Sequence, residues 1–227
     1  MITEAVKQGS AEWADLRLGI PTASQYHRII TPKTMKLSAG SEGYRNQLLA
    51  EWALGYPVVD AESGFMDRGN NLEDDARSFY EVQREVDLID AGFILTDDRR
   101  TGGSPDALVG DDGGAEIKCL SAPNHIGFLL HGLDDTYRPQ VQGYLWITGR
   151  KWWDVVLYSP SFPSAIVRIE RDDDFIAKFV PALTQFCEQL DQDKRELLRR
   201  GVVQRTVFGR KTAEAPPERG LFLVGKT

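Results

Sequence analysis

The stretch Ser104–Lys118, SPDALVGDDGGAEIK, decides the fold. Residues 105–109 and 115–119 read as strands, short and bounded by turn residues. Gly110-Asp111-Asp112-Gly113-Gly114 reads as the turn between them. With that turn centred on Asp112, residue 106 faces 118 and residue 108 faces 116. Side chains alternate across a strand, so Asp106, Glu116 and Lys118 then share one face. A slip of one residue puts Asp106 on the opposite face from the other two.

Working outward, the pattern before this hairpin is helical. Residues 10–18 (SAEWADLRL) form a short helix stopped by Gly19. Thr22 is suited to cap a second helix running to Ile30, because its hydroxyl can satisfy a free amide. Ser41 is suited to cap a third, with Tyr44, Leu48, Leu49, Trp52 and Ala53 as an apolar stripe ended by Gly55. Leu72, Ala76, Phe79, Tyr80 and Gln83 stand at helical spacing in a fourth. Residues 91–96 read as a strand. After the hairpin, residues 137–148 read as a helix, with Pro139 tolerated in its first turn. Residues 151–158 and 165–170 read as strands. Residues 172–200 read as mostly helix, with Pro181 a kink or break. The order helix, three strands, helix, strand predicts a mixed α/β (α+β) fold, with helices on both faces of a small mixed sheet. Residues 1–200 read as a single domain and 201–227 as a tail, where AEAPPER suggests mobility.

The bulk properties exclude several classes. At 227 residues, 41% hydrophobic and 27% charged, the chain has the size and composition of one globular domain. No apolar run is long enough to span a membrane, and the N-terminus lacks the layout of a signal peptide. The two cysteines, Cys119 and Cys187, make no metal or redox motif, which fits a cytoplasmic protein. His27, His125 and His131 show no metal-ligand spacing and read as structural or surface residues. A net charge of −7 is unlike that of a nucleic-acid binder. Charge summed over a chain, however, does not reveal a basic channel within an acidic exterior.

The hairpin carries the chemistry. Asp106 and Glu116 supply the oxygen ligands that a hard cation such as Mg²⁺ or Mn²⁺ prefers. Such a cation polarises a phosphate and lowers the pKa of bound water. Lys118 would steer that water or neutralise developing charge. A Glu-x-Lys pair is also common on surface hairpins, and Glu73, beside Asp74 and Asp75, also reads as a solvated glutamate. Gln140 and Gln142 flank the apolar stripe of their helix, so one of them can point into a cleft.

Taken together, the chain resembles the phage lambda exonuclease family of the PD-(D/E)xK nuclease superfamily. The similar blocks are Glu12-Trp13, Leu16-Arg17-Leu18-Gly19, Thr22-Ala23-Ser24 and Leu48-Leu49-Ala50-Glu51. Gly69 with Glu73, Asp75, Ala76 and Arg77 follows, then Ser104-Pro105-Asp106, Glu116-Ile117-Lys118-Cys119 and Gln140-Val141-Gln142. The resemblance implies a restriction-endonuclease-like core and a pair of Mg²⁺ ions. Asp106 would ligate both. Glu116 and the Ile117 carbonyl would complete one site. Lys118 would activate water, and Glu73 and Gln140 would place water and metal. Arg17, Ser24 and Ser104 stand where the family binds a 5′-phosphate. Met66, or Phe65, stands where it uses an apolar wedge to part base pairs. Two departures limit the transfer: Leu120 stands where the family commonly has proline, and the segment 121–136 is shorter and differently composed.

The resemblance therefore implies a Mg²⁺-dependent exonuclease that digests one strand of double-stranded DNA from its 5′ end. Mononucleotides and a 3′ overhang would be the products. It further implies a ring-shaped homotrimer, a single-strand annealing protein as partner, and a phage or prophage origin with work in bacterial cytoplasm. The rival readings are an endonuclease of the same fold and a non-catalytic DNA-binding protein.

Overall fold

Trp152 and Trp153 explain how the central hairpin is built. In this computed structural model, which describes residues 1–58 and 64–203 and the side chains of 1–58 and 72–203, both tryptophans lie beside glycines of the neighbouring strand. A Cβ on Gly113 would lie 2.1 Å from the Trp152 ring, and one on Gly114 would lie 2.3 Å from the Trp153 ring. The two glycines therefore belong to a strand, where only a residue without a side chain leaves the indoles room.

Numbered in chain order, the strands are β1 (Ile2–Glu4), β2 (Leu88–Ile89), β3 (Phe93–Leu95), β4 (Gly102–Gly103), β5 (Ala107–Val109), β6 (Gly113–Lys118), β7 (Trp152–Leu157) and β8 (Ala165–Glu170). The helices are α1 (Ala11–Arg17), α2 (Tyr26–Ile29), α3 (Ser41–Leu54), α4 (Gly64–Arg84), α5 (Ala122–His131), α6 (Tyr137–Thr148) and α7 (Asp173–Arg199). A five-stranded sheet runs β2-β5-β6-β7-β8, and a three-stranded sheet runs β1-β3-β4. In the larger sheet only β6 and β7 are parallel; the other pairs are antiparallel. Parallel neighbours need a crossover, and the chain through α5 and α6 provides it. The sheet is mixed, as expected, with apolar clusters on both faces.

On one face β7 contributes Trp153, Val155 and Leu157 to a core shared with α2, α3, α6 and α7. On the other, Ala107, Val109, Ala115, Ile117 and Val156 pack under Ala76 and Tyr80 of α4. Helix α7 buries Phe175, Ile176, Phe179, Leu183, Phe186, Cys187 and Leu190, a stripe at helical spacing. Helix α6 is buried on nearly every side. Its Gly143 lets Tyr26 approach, since a Cβ there would meet the ring at 2.5 Å.

Several expectations need correction. The hairpin pairs Ala107 with Ala115 and Val109 with Gly113, so its turn centres on Asp111 rather than Asp112. One step further along, Asp106 falls opposite Glu116, not opposite Lys118. The side chains still share a face, because the pairing shifted by an even count. Arg150 holds this tighter turn, donating to the carbonyls of Gly110 and Gly113, each at 2.7 Å. The strand at 91–96 lies in the smaller sheet, not beside the hairpin.

Thr22 makes no side-chain cap; its amide donates instead to the Tyr44 hydroxyl. Ser41 is the first helical residue of α3 rather than its cap, and its hydroxyl turns back to the Ser38 carbonyl. Helix α7 runs unbroken through Pro181, held by its buried stripe. Strands β1, β2 and β4 are two or three residues long, too short for a period to show. Helix α5 lies in the segment 121–136, for which no element was predicted. His125 is fully buried there, its Nε2 3.0 Å from the Pro163 carbonyl. Among the described residues no helix is long and apolar enough to cross a membrane. Residues 204–227, most of the expected tail, lie outside the described residues.

Candidate active site

The site forms where β6 outruns its neighbour. Pairing with β5 ends at Ala107–Ala115, and beyond it the Ile117 amide donates to Asp106 Oδ2 at 2.6 Å. A strand residue turns its N–H and C=O toward the same neighbour. The Ile117 carbonyl therefore faces the edge that β5 has left. Arg77 of α4 braces this corner, donating to the Asp106 carbonyl at 2.7 Å and to the Asp90 carboxylate at 2.8 Å.

Glu116 is buried, at 4% exposure, on the α6 face of the sheet. Its Oε1 accepts from Lys118 Nζ at 2.7 Å and from Gln140 Nε2 at 2.6 Å. Its Oε2 is buried without a hydrogen-bond partner among the described residues. A buried carboxylate oxygen is costly in that condition. Burial and the adjacent Glu116 charge push the Asp106 carboxyl well above its ordinary range, against the pull of Lys118 and the Ile117 amide. Burial opposes charge on Lys118, but Glu116 and Asp106 outweigh it and raise the lysine above its ordinary range. The Tyr137 ring lies 5.6 Å from the same ammonium.

These observations fit a hard cation. An orphaned carboxylate oxygen, a second carboxylate that resists ionising beside it, and a free-edge carbonyl all lack positive charge. Glu73 lies near enough to raise Asp106. With burial and Asp106, it also pushes the Cys119 thiol up to about 11. Among the described residues, however, no three His, Cys, Asp or Glu side chains are grouped closely enough to hold a metal. The groups that could hold such a cation are Asp106, Glu116 and the Ile117 carbonyl.

A second group adjoins the first through Ser104. Trp13 Nε1 donates to Ser104 Oγ at 2.6 Å, and the Arg17 guanidinium stacks on the Trp13 ring at 4.0 Å. Arg17 forms no ion pair or side-chain hydrogen bond among the described residues, and burial works against its charge. A guanidinium in that condition is a ready anion binder. Ser24 lies half-buried in the 3-10 turn Ala23–Gln25, just before α2.

Of the expected residues, the structure places Asp106, Glu116, Lys118 and Gln140 together, and it joins Arg17 and Ser104, expected from the family resemblance, through Trp13. Of the two glutamines, Gln140 faces the site. Gln142 serves the junction of β8 and α7, donating to the Glu170 carbonyl and accepting from the Asp172 amide. Met66 and Phe65 lie outside the residues whose side chains are described. Tyr144, Tyr137 and the bracing role of Arg77 were missed. Both tyrosines lie on a largely buried helix, where no local signal distinguishes a site residue from core.

The fold and site define a class: a nuclease-fold enzyme whose centre joins two carboxylates, a lysine and a glutamine. The YqaJ-like viral recombinase domain matches residues 12–151, the span that carries every residue of both groups. The structure is similar to an alkaline exonuclease, LHK-Exo, from Laribacter hongkongensis, with TM-score 0.76 and 32% identity over 85% of this chain and 98% of that one. LHK-Exo in complex with dAMP matches with the same TM-score of 0.76 and 31% identity, again over 85% and 98%. A phage-related exonuclease from Haemophilus somnus 129PT shares the fold at TM-score 0.61 and 18% identity, over 78% of this chain and 96% of that one. No curated protein matches the chain. The chain belongs to the YqaJ-like viral recombinase family, and it is an enzyme of the exonuclease type.

Proposed function

We propose that this enzyme is a Mg²⁺-dependent exonuclease of double-stranded DNA. It digests one strand from the 5′ end to mononucleotides and leaves a 3′ overhang. The observation that carries this reading is Ser104. Its hydroxyl accepts from Trp13, on whose ring Arg17 stacks, while its chain neighbour but one is Asp106. A phosphate held by Arg17, Ser24 and Ser104 therefore ends at a fixed distance from the hydrolytic centre, and that sets direction.

Asp106, Glu116 and the Ile117 carbonyl would hold the cation, probed with Mg²⁺ first and Mn²⁺ second. When bound it supplies charge for the scissile phosphate and a water of lowered pKa. Lys118, held to Glu116 Oε1 at 2.7 Å, would orient that water and neutralise developing charge. Gln140 and Glu73 position that water. As proposals of the same reading, the enzyme works as a ring-shaped homotrimer beside a single-strand annealing protein, in the cytoplasm of a bacterium carrying the phage or prophage.

The test compares linear DNA with 5′-phosphoryl ends, linear DNA with 5′-hydroxyl ends, and closed circular DNA, each with Mg²⁺ and with chelator. Phosphorylated linear DNA should be digested fastest, closed circles should survive, and chelator should stop all digestion. The substitution Arg17→Ala should erase the preference for a 5′-phosphate. Rapid cutting of closed circles would mean an endonuclease instead.

A further inference from the structure

Gln140, Tyr144 and Ser104 form one directed chain of hydrogen bonds. Gln140 Nε2 faces the Glu116 carboxylate, an acceptor, so the orientation of its amide is not in doubt. The same Nε2 donates to the Tyr144 hydroxyl at 3.2 Å. That hydroxyl has a single proton, and it donates it to the Ser104 carbonyl at 3.2 Å. Ser104 is thus gripped twice, at its carbonyl by Tyr144 and at its hydroxyl by Trp13. Tyr144 itself is 1% exposed. Its ring is tilted against Trp153 at 5.1 Å, and a Cβ on Gly103 would meet it at 2.7 Å. Burial and the Glu116 charge push its phenol up, so the donated proton stays in place.

The geometry points to Tyr144 as a positioning residue that couples the 5′-phosphate pocket to the hydrolytic carboxylate. This rests on the end-directed reading proposed above. When a phosphate engages Ser104, the serine backbone is fixed, and with it the Tyr144 hydroxyl and the Gln140 amide. Gln140 then holds Glu116 Oε1 in one place, and the unpartnered Oε2 is the oxygen that would be left for a cation. An end without phosphate leaves Ser104 held by Trp13 and Tyr144 alone, with less restraint passed along the chain. Tyr144 touches neither DNA nor the reacting atoms. It turns recognition of the end group into alignment of the centre, so part of the 5′-phosphate preference appears in kcat and not only in KM.

The variant Tyr144→Phe removes the hydroxyl and keeps the ring contacts. The readout is the ratio of initial rates on 5′-phosphoryl and 5′-hydroxyl linear DNA, with kcat and KM measured for each. The ratio should fall about ten-fold, the worth of one hydrogen bond, through kcat on phosphorylated ends while their KM holds. A merely structural residue would slow both ends equally and leave the ratio unchanged.

Gln140→Met severs the chain one link further on, so its ratio should fall to the same level. The double variant should show no further fall, since the residues act in series. Should either single variant keep the wild-type ratio, the inference is overturned, and coupling runs through the Pro105 backbone instead. A wild-type enzyme that ignores the end group would overturn the function itself, a separate and distinguishable result.

Discussion

Lys118 is held to Glu116 at 2.7 Å and raised by two carboxylates, so its ammonium stands beside the candidate site. Lys118→Ala should lower single-turnover digestion by about 100- to 10,000-fold, the span of one positioned proton-handling group, with the circular dichroism spectrum unchanged. Digestion at the wild-type rate would refute the assigned chemistry. Asp106 yields a prediction of opposite sign for stability. Its folded pKa is raised above the ordinary 3.8, so the stability it contributes is present below that value and is lost as pH rises through the folded value. Asp106→Asn should therefore raise the melting temperature of the metal-free enzyme at pH 8 while abolishing activity, with the gain fading toward pH 3. Mg²⁺ should stabilise the wild type and leave Asp106→Asn unaffected; equal shifts in both would remove Asp106 from the ligand set.

Among the elements, the hairpin sets the precision of the site. Its carboxylates could be identified in the residue types alone, and alternation put Glu116 and Lys118 on one face, with Asp106 joining them only in the right register. The register did not follow, because GDDGG offers more than one turn. Trp152 and Trp153 resolve it from the neighbouring strand by filling the space over Gly113 and Gly114. Gly114→Ala should consequently cost about 1–3 kcal/mol, the usual penalty of overpacking, measured by urea denaturation. An unchanged midpoint would show that the indole yields. Helices with long apolar stripes, α3 and α7, were legible for the converse reason: their period repeats several times within one element. Strands β1, β2 and β4, at two or three residues each, offer no period to read.

Over the whole molecule, the site draws on α1, the link between β4 and β5, β6 and α6, and each supplies a group the others lack. Trp13 reaches Ser104 across 91 residues of sequence, and Gln140 reaches Glu116 across 24. Residue identity and short-range periodicity were enough to single out Asp106, Glu116 and Lys118 as candidates and to predict the helix-flanked mixed sheet that carries them. Arg17 and Ser104 as a phosphate pair came from the family resemblance, and the structure then brought them together. Only the tertiary structure decided that Asp106 falls opposite Glu116, that Gln140 rather than Gln142 faces the centre, and that Tyr144 links the two groups. The reason is physical. Turn and helix preferences act over a few residues, whereas these choices depend on the packing of α6 and β7 against a hairpin that neither adjoins in sequence.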